Sequence, residues 1–240
     1  MQIAGIQKMT LVDYPGKVAA TVFTRGCSFR CGFCHNPELV LPKEFNPLIP
    51  EEDFFRFLES RLGKIEAICI TGGEPTIQND IGKFISHIKA LGFLVKLDSN
   101  GSMPEVLEEI IEEGDVDYIA MDIKAPLSKY QAVSNSNLKI LKNQDTTEDI
   151  LKKNIKRSIN LIMNSGIDYE FRTTVNHPHH RPEDFKGIGE LINGAKRYFI
   201  QNFVPSKQID SKIKFKPFTR KELEESLKII KKYINDSNIR

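Results

Sequence analysis

Ala67-Ile-Cys-Ile-Thr71, then the stretch Asp80–Leu91, then Phe93-Leu-Val-Lys-Leu-Asp98 decide the class of fold. The outer two are short apolar runs of strand length, and the middle one repeats its apolar residues at helical spacing. A strand, a helix and a second strand in so short a span predict a parallel pair with the helix outside it. The alternation extends both ways along the chain. Strands are expected at Val18–Arg25, Ala67–Thr71, Phe93–Asp98, Asp117–Asp122, Asp168–Thr174 and Arg197–Asn202. Helices are expected at Pro50–Leu62, Asp80–Leu91, Pro104–Glu113, Glu148–Asn164 and Pro182–Ile192. Pro50 and Pro182 are each followed by two acids, which suits a helix N-terminus. Gly63, Gly92, Gly114 and Gly166 stand where four of these helices need a left-handed cap. Six units are two short of a (β/α)8 barrel. The expected fold class is therefore α/β, a partial (β/α)6 barrel of parallel strands with outer helices, although an open doubly wound sheet gives the same string.

Thr219-Arg-Lys-Glu222 reads as a capping box opening a C-terminal amphipathic helix, Arg220–Ile234. The polar connection Ala125–Thr147 is expected to carry some helix of its own. With no repeat and no low-complexity linker, residues 1–205 read as one core domain, with residues 206–240 an extension packed on it. That extension holds ten Lys or Arg against five Asp or Glu. Its charge is read as either the solvated face of a closing helix or a docking surface for an acidic protein.

In 240 residues, 40% hydrophobic and 28% charged, a formal net charge of +2 argues against a nucleic-acid coat. No apolar run reaches a membrane span and the N-terminus lacks a secretory pattern, so a cytoplasmic chain is expected. Its four cysteines are then ligands, catalysts or core residues rather than a disulfide scaffold.

Cys27-Ser-Phe-Arg-Cys31-Gly-Phe-Cys34 has C-x3-C-x2-C spacing and directly follows the first expected strand. Structural zinc wants four closing ligands, and no second cysteine pair is present. In an iron–sulfur cubane, three cysteines leave one iron open to bind and activate a small molecule. Cys31-Gly-Phe-Cys34-His35 is also the attachment string for c-type haem, a reading that leaves Cys27 unexplained. Cys69, inside an apolar run, reads as a small core residue rather than a fourth ligand.

Thr71-Gly-Gly-Glu-Pro75, one strand–helix unit beyond the cysteines, changes the weight of these readings. Together the two loops resemble the radical S-adenosylmethionine superfamily, and the likeness spans most of the chain. Gly5-Ile-Gln-Lys8, Leu11-Val-Asp-Tyr-Pro-Gly-Lys17, Cys34-His-Asn-Pro-Glu-Leu-Val40, Asp98-Ser-Asn-Gly101 and Asp122-Ile-Lys124 narrow it to glycyl-radical-enzyme activases. The likeness is greatest to activases of anaerobic ribonucleoside-triphosphate reductase. Ser99 stands where these relatives usually carry Thr. Phe203-Val-Pro-Ser206 replaces a histidine that pyruvate formate-lyase activases place after the sixth strand, which counts against that branch. The cysteine loop, Gly-Gly-Glu-Pro, Asp98-Ser-Asn-Gly101, Asp122-Ile-Lys124, Arg172-Thr-Thr174 and Gln201-Asn202 each fall at the C-terminal end of an expected strand, the face where parallel βα barrels build active sites.

The resemblance implies a [4Fe-4S] cluster on Cys27, Cys31 and Cys34, with S-adenosylmethionine on the fourth iron. It implies cleavage to methionine and a 5′-deoxyadenosyl radical, which abstracts a Cα hydrogen from a glycine of a partner enzyme. Cofactor contacts are then expected from Phe33, an apolar shelf for the adenine, and from the backbone of Cys34 and His35. Gly72 and Gly73 would let the backbone approach the cofactor amino group, with Glu74 tying down their loop. Lys124 would face the methionine carboxylate, and Asp98 and Asp122 would be neighbouring carboxylates needing a cation between them. Lys124, the sulfonium or a monovalent metal ion are the candidates for that charge. Arg172 and Gln201 are weaker candidates, and His177, His179 and His180 read as a surface loop. Expected partners are the glycyl-radical enzyme and a flavodoxin or ferredoxin-type electron donor, with no membrane or nucleic acid. The alternatives are a radical enzyme acting on a small molecule such as a purine-like ring, activation of pyruvate formate-lyase or another glycyl-radical enzyme, a non-catalytic electron-transfer module, and a nucleic-acid binder using the basic tail.

Overall fold

The computed structural model describes residues 1–135 and 148–240. In chain order the strands are β1 (Ile3–Thr10), β2 (Ala19–Thr24), β3 (Ala67–Gly72), β4 (Leu94–Ser99), β5 (Tyr118–Asp122), β6 (Asp168–Val175), β7 (Tyr198–Asn202) and β8 (Ser237–Ile239). The helices are α1 (Pro37–Val40), α2 (Glu51–Glu59), α3 (Ile81–Ala90), α4 (Pro104–Glu113), α5 (Tyr130–Ser134), α6 (Glu148–Asn164), α7 (Asp184–Leu191) and α8 (Arg220–Ile230). One eight-stranded sheet runs β1 to β8 in sequence order. It is parallel throughout except for β1, which pairs antiparallel with β2.

All six expected strands are present, as β2 to β7, shifted by no more than one residue at either end. Two strands were not expected. The sequence of β1 carries Gly5, Gln7 and Lys8 and no β-branched run beyond two isoleucines, and β8 has only three residues. Gly63, Gly92, Gly114 and Gly166 all take positive φ, between +72° and +88°, as their capping positions require. The capping box of Thr219 and Glu222 forms. Within the connection after Ala125, α5 is the described helix, and the rest of the expectation there falls on residues 136–147, outside the described residues. No described helix is long and apolar enough to cross a membrane.

Strand alternation divides the sheet into two chemically different faces. The registered row Val22, Ile70, Leu97, Ile119 and Tyr169 is buried in the large core shared with the helices, among Phe54, Phe84 and Ile155. The adjacent row, Thr21, Cys69, Lys96 and Tyr118, points the other way and is polar. The strand ends on that side carry Asp98, Asp122 and Arg172 toward one another, although they lie on β4, β5 and β6. After β7 the chain crosses the rim, enters α8 against α7 and returns as β8 beside β7. At Gly189 a Cβ would lie 2.3 Å from the Tyr233 ring, so α7 and the chain end approach closely.

Candidate active site

Cys27, Cys31, Cys34, Phe33, His35, Gly72, Gly73, Glu74, Asp98, Asp122 and Lys124 all line one cavity of about 230 Å³ at the C-terminal ends of the strands. They come from four different loops. The cysteine loop is held by its own residues: the Arg30 guanidinium donates to the carbonyls of Cys27 (2.5 Å) and Phe29 (2.7 Å), and Cys34 N–H donates to Cys31 O (3.0 Å). Cys27 Sγ accepts from Phe29 N–H at 3.3 Å and from Asn100 Nδ2 at 3.8 Å. Such N–H···S contacts orient a thiolate ligand and tune a cluster bound to it.

Burial pushes the Cys31 thiol up to about 11 and raises those of Cys27 and Cys34 as well. Three thiols so placed become thiolates only with a strong cationic partner, which a metal centre provides. The three thiols lie on one loop and line one cavity, as a cubane held through three irons requires. Within the lining, His35 Nε2 is buried without a hydrogen-bond partner among the described residues, its ring tilted against Phe203 with centroids 5.1 Å apart. The residues present thus fit a three-cysteine cluster with a polar ligand beside it.

Glu74 clamps the loop after β3. Its carboxylate is 1% exposed and accepts from Thr76 N–H, Thr76 Oγ1, Ser99 Oγ and Asn100 N–H, the last at 2.7 Å. These bonds tie the Gly-Gly-Glu-Pro loop to the Asp98–Gly101 loop. Gly72 and Gly73 also meet a demand of the protein backbone itself. A Cβ on Gly73 would lie 1.8 Å from Gly26 O, and one on Gly72 2.3 Å from Thr24 N, with φ at +117°. The glycines let this loop press against the backbone that starts the cysteine loop.

The two carboxylates are held by side-chain cations. Arg172 bridges them, donating from Nε to Asp122 (3.0 Å) and from a terminal nitrogen to Asp98 (3.3 Å). Lys124 pairs with Asp122 at 2.9 Å, and Lys96 pairs with Asp98. Although burial opposes it, the neighbouring cations hold both carboxyls below the usual range, Arg172 and Lys96 for Asp98, Lys124 and Arg172 for Asp122. Arg172, a weak candidate by sequence, is therefore the centre of the network. Lys96 was missed: a lysine inside a strand pattern reads as solvent-facing, yet this one is 2% exposed on the polar inner face. Its ammonium also lies 3.6 Å from Cys69 Sγ. Cys69 is buried in β3 and does not line the cavity.

Removing the Lys124 ammonium, as in Lys124→Ala, is expected to weaken S-adenosylmethionine binding by about ten- to a hundredfold, the weight of a charge-assisted hydrogen bond. Iron content should not change. Equal affinity in an anaerobic binding titration would remove Lys124 from the site.

The histidine loop is corrected by the structure. His180 is fully buried, its Nε2 2.8 Å from Lys124 O, and burial lowers it to about 4. It is a neutral strut beneath the Asp122–Lys124 loop. His177 pairs with Glu222 at 3.0 Å, and His179 packs against Phe33 and Phe215. Phe33 lines the cavity with its ring edge-on to these neighbours. Gln201 lies within 3.4 Å of Thr174 and does not line the cavity.

Residues 21–193 match the family model of the Radical SAM superfamily. The chain is 34% identical over 240 residues to a Methanocaldococcus jannaschii protein provisionally named a glycyl-radical enzyme activating enzyme, covering 99% of this chain and 95% of that one. It is 29% identical over 151 residues to the pyruvate formate-lyase-activating enzyme of Listeria monocytogenes, 58% of this chain and 60% of that protein. It is 27% identical over 200 residues to the GTP 3′,8-cyclase of Clostridium botulinum, 79% of this chain and 61% of that protein. The crystal structure of Streptococcus suis SuiB bound to S-adenosylmethionine has the same fold, with a TM-score of 0.65 at 16% identity over 90% of this chain and 48% of that chain.

Proposed function

We propose, for a chain that belongs to the radical SAM superfamily, that it activates a partner enzyme by placing a radical on one of its glycines. Cys27, Cys31 and Cys34 would hold a [4Fe-4S] cluster by three irons. With S-adenosylmethionine beside it, the cluster would supply one-electron reductive cleavage of the sulfonium and so the hydrogen-abstracting chemistry that glycine activation needs. The chain's own residues position and enclose. Lys124, charged throughout the working pH range, would meet the methionine carboxylate, and Phe33 and the backbone of Cys34 and His35 would meet the adenine. Glu74 fixes the loop facing them. Arg172, Lys96 and Lys124 supply side-chain cations to the two floor carboxylates, Asp98 and Asp122. Burial of these groups limits water at the radical.

The observation that supports activation over small-molecule chemistry is the 34% identity that runs nearly end to end in both chains with the M. jannaschii relative. For the partner, the likeness of Leu11–Lys17 and Cys34–Val40 supports an anaerobic ribonucleoside-triphosphate reductase. The test is electron spin resonance on anaerobic mixtures of reconstituted protein, S-adenosylmethionine, dithionite and each candidate partner. A glycyl radical on the reductase is the expected result. A signal only on pyruvate formate-lyase would move the partner. Cofactor cleavage driven by a nucleotide, with no protein radical, would overturn the activase reading.

A further inference from the structure

We propose that the outer face of residues 204–217 is the docking surface for an acidic one-electron-donor protein that reduces the cluster. The inference rests on the cluster assignment above. This segment leaves β7 at Phe203, crosses the rim to the back of the cysteine loop and reaches α8 through Phe218. Asp210 N–H donates to Gly32 O at 3.0 Å, and the Phe215 ring meets Phe33 at 6.0 Å between centroids. A Cβ on Gly32 would lie 3.0 Å from Phe215 and 3.1 Å from Asp210, so the segment lies flat on the loop. The same loop supplies the three cysteines and Phe33 to the cavity. An electron entering through the outer face of this segment therefore has a short route to the cluster.

The chemistry of the face selects the partner. Lys207, Lys212, Lys214 and Lys216 are all exposed, and Asp210 is the one acid among them. The Asp210 carboxylate accepts from Lys212 N–H at 2.9 Å within the segment. Lys207 reaches Glu38 at 3.6 Å, while Lys212, Lys214 and Lys216 make no ion pair among the described residues. Val204, 65% exposed, adds an apolar contact at one end. Between segment and loop runs a groove of about 380 Å³ with Ile209 and Ile213 along it and Arg30 and Lys212 beside them. Ten cations against five acids in Ser206–Arg240, within a chain of net +2, leave the remainder at −3, so the positive field is local to this end. A basic rim around apolar side chains steers and seats an acidic surface. The step balances simply: the donor loses one electron, the cluster gains it, and no bond forms or breaks.

The test compares the reconstituted protein with its triple variant Lys212→Glu, Lys214→Glu and Lys216→Glu, using reduced flavodoxin as donor. At low salt, cluster reduction by flavodoxin should slow by about tenfold or more and calorimetric affinity for flavodoxin should fall alike, with both salt dependences flattened. Reduction by dithionite, and cofactor cleavage with it, should be unchanged. Unaltered reduction by flavodoxin would overturn the proposal. So would slowed reduction by dithionite, which would make the segment structural. Loss of glycyl-radical formation under dithionite would assign the face to the radical-accepting enzyme instead. If the unsubstituted protein neither holds a cluster nor cleaves the cofactor with dithionite, the failure lies in the proposed function and not in the docking surface.

Discussion

Alanine at Cys27, Cys31 or Cys34 is expected to remove the visible absorbance of an iron–sulfur cluster after anaerobic reconstitution and to reduce S-adenosylmethionine cleavage to background. Cys69→Ala should keep both. The division follows from position rather than residue type. The first three thiols line a single cavity on one loop, whereas Cys69 sits in β3 below it, beside the Lys96 ammonium. A cubane that lost one of its three thiolates would have two irons without protein ligands, and the remaining pair cannot enclose it. Cys31 is also packed in the core, so circular dichroism of each apo-variant must match the parent for the result to count. Normal absorbance in Cys31→Ala would end the ligand assignment, and lost absorbance in Cys69→Ala would bring β3 into it.

What could be read in advance was whatever repeats or whatever sits at a strand end. The six expected strands, β2 to β7, are short apolar runs bounded by glycines and helix starts, and their C-terminal ends carry the rim motifs. The convergence of eleven expected residues on one cavity follows from that topology alone. Contacts made by folding back were not legible. Lys96 looks outward in any strand pattern until the polar inner face exists. Arg172 gains its role only when β4 and β5 bring Asp98 and Asp122 within reach. His180 lies in a Pro- and His-rich loop that reads as surface, and only tertiary packing buries it under Lys124. The glycines after β3 were legible as glycines that matter. Their partner, the backbone of Thr24 and Gly26, lies far back in sequence.

Arg172→Ala should cost about 3–5 kcal/mol at neutral pH, because it strips one cation from two carboxylates that fold keeps out of water. The side chains involved are 13% exposed for Arg172, 15% for Asp98 and 29% for Asp122, so solvent offers little screening. In a chain of this length the loss should lower the melting temperature by about 6–20 °C, since 1 kcal/mol moves it by about 2–4 °C. The pH dependence gives the sign. Both carboxyls are held below their ordinary range in the folded state, so their contribution is complete above that range. It is lost as pH falls through the depressed values. Without Arg172 the two carboxyls return toward their ordinary range, so the gap between parent and variant should narrow as pH drops below about 4. Lys96 and Lys124 remain as one partner for each acid, which limits the penalty to the lower part of the range. Arg172→Lys should recover part of the stability, since a single ammonium cannot reach both carboxylates with the geometry of a guanidinium. Calorimetry of the apo-proteins at neutral and acid pH decides it. A gap below about 1 kcal/mol, or one that stays constant with pH, would show that Asp98 and Asp122 are held by their lysines alone.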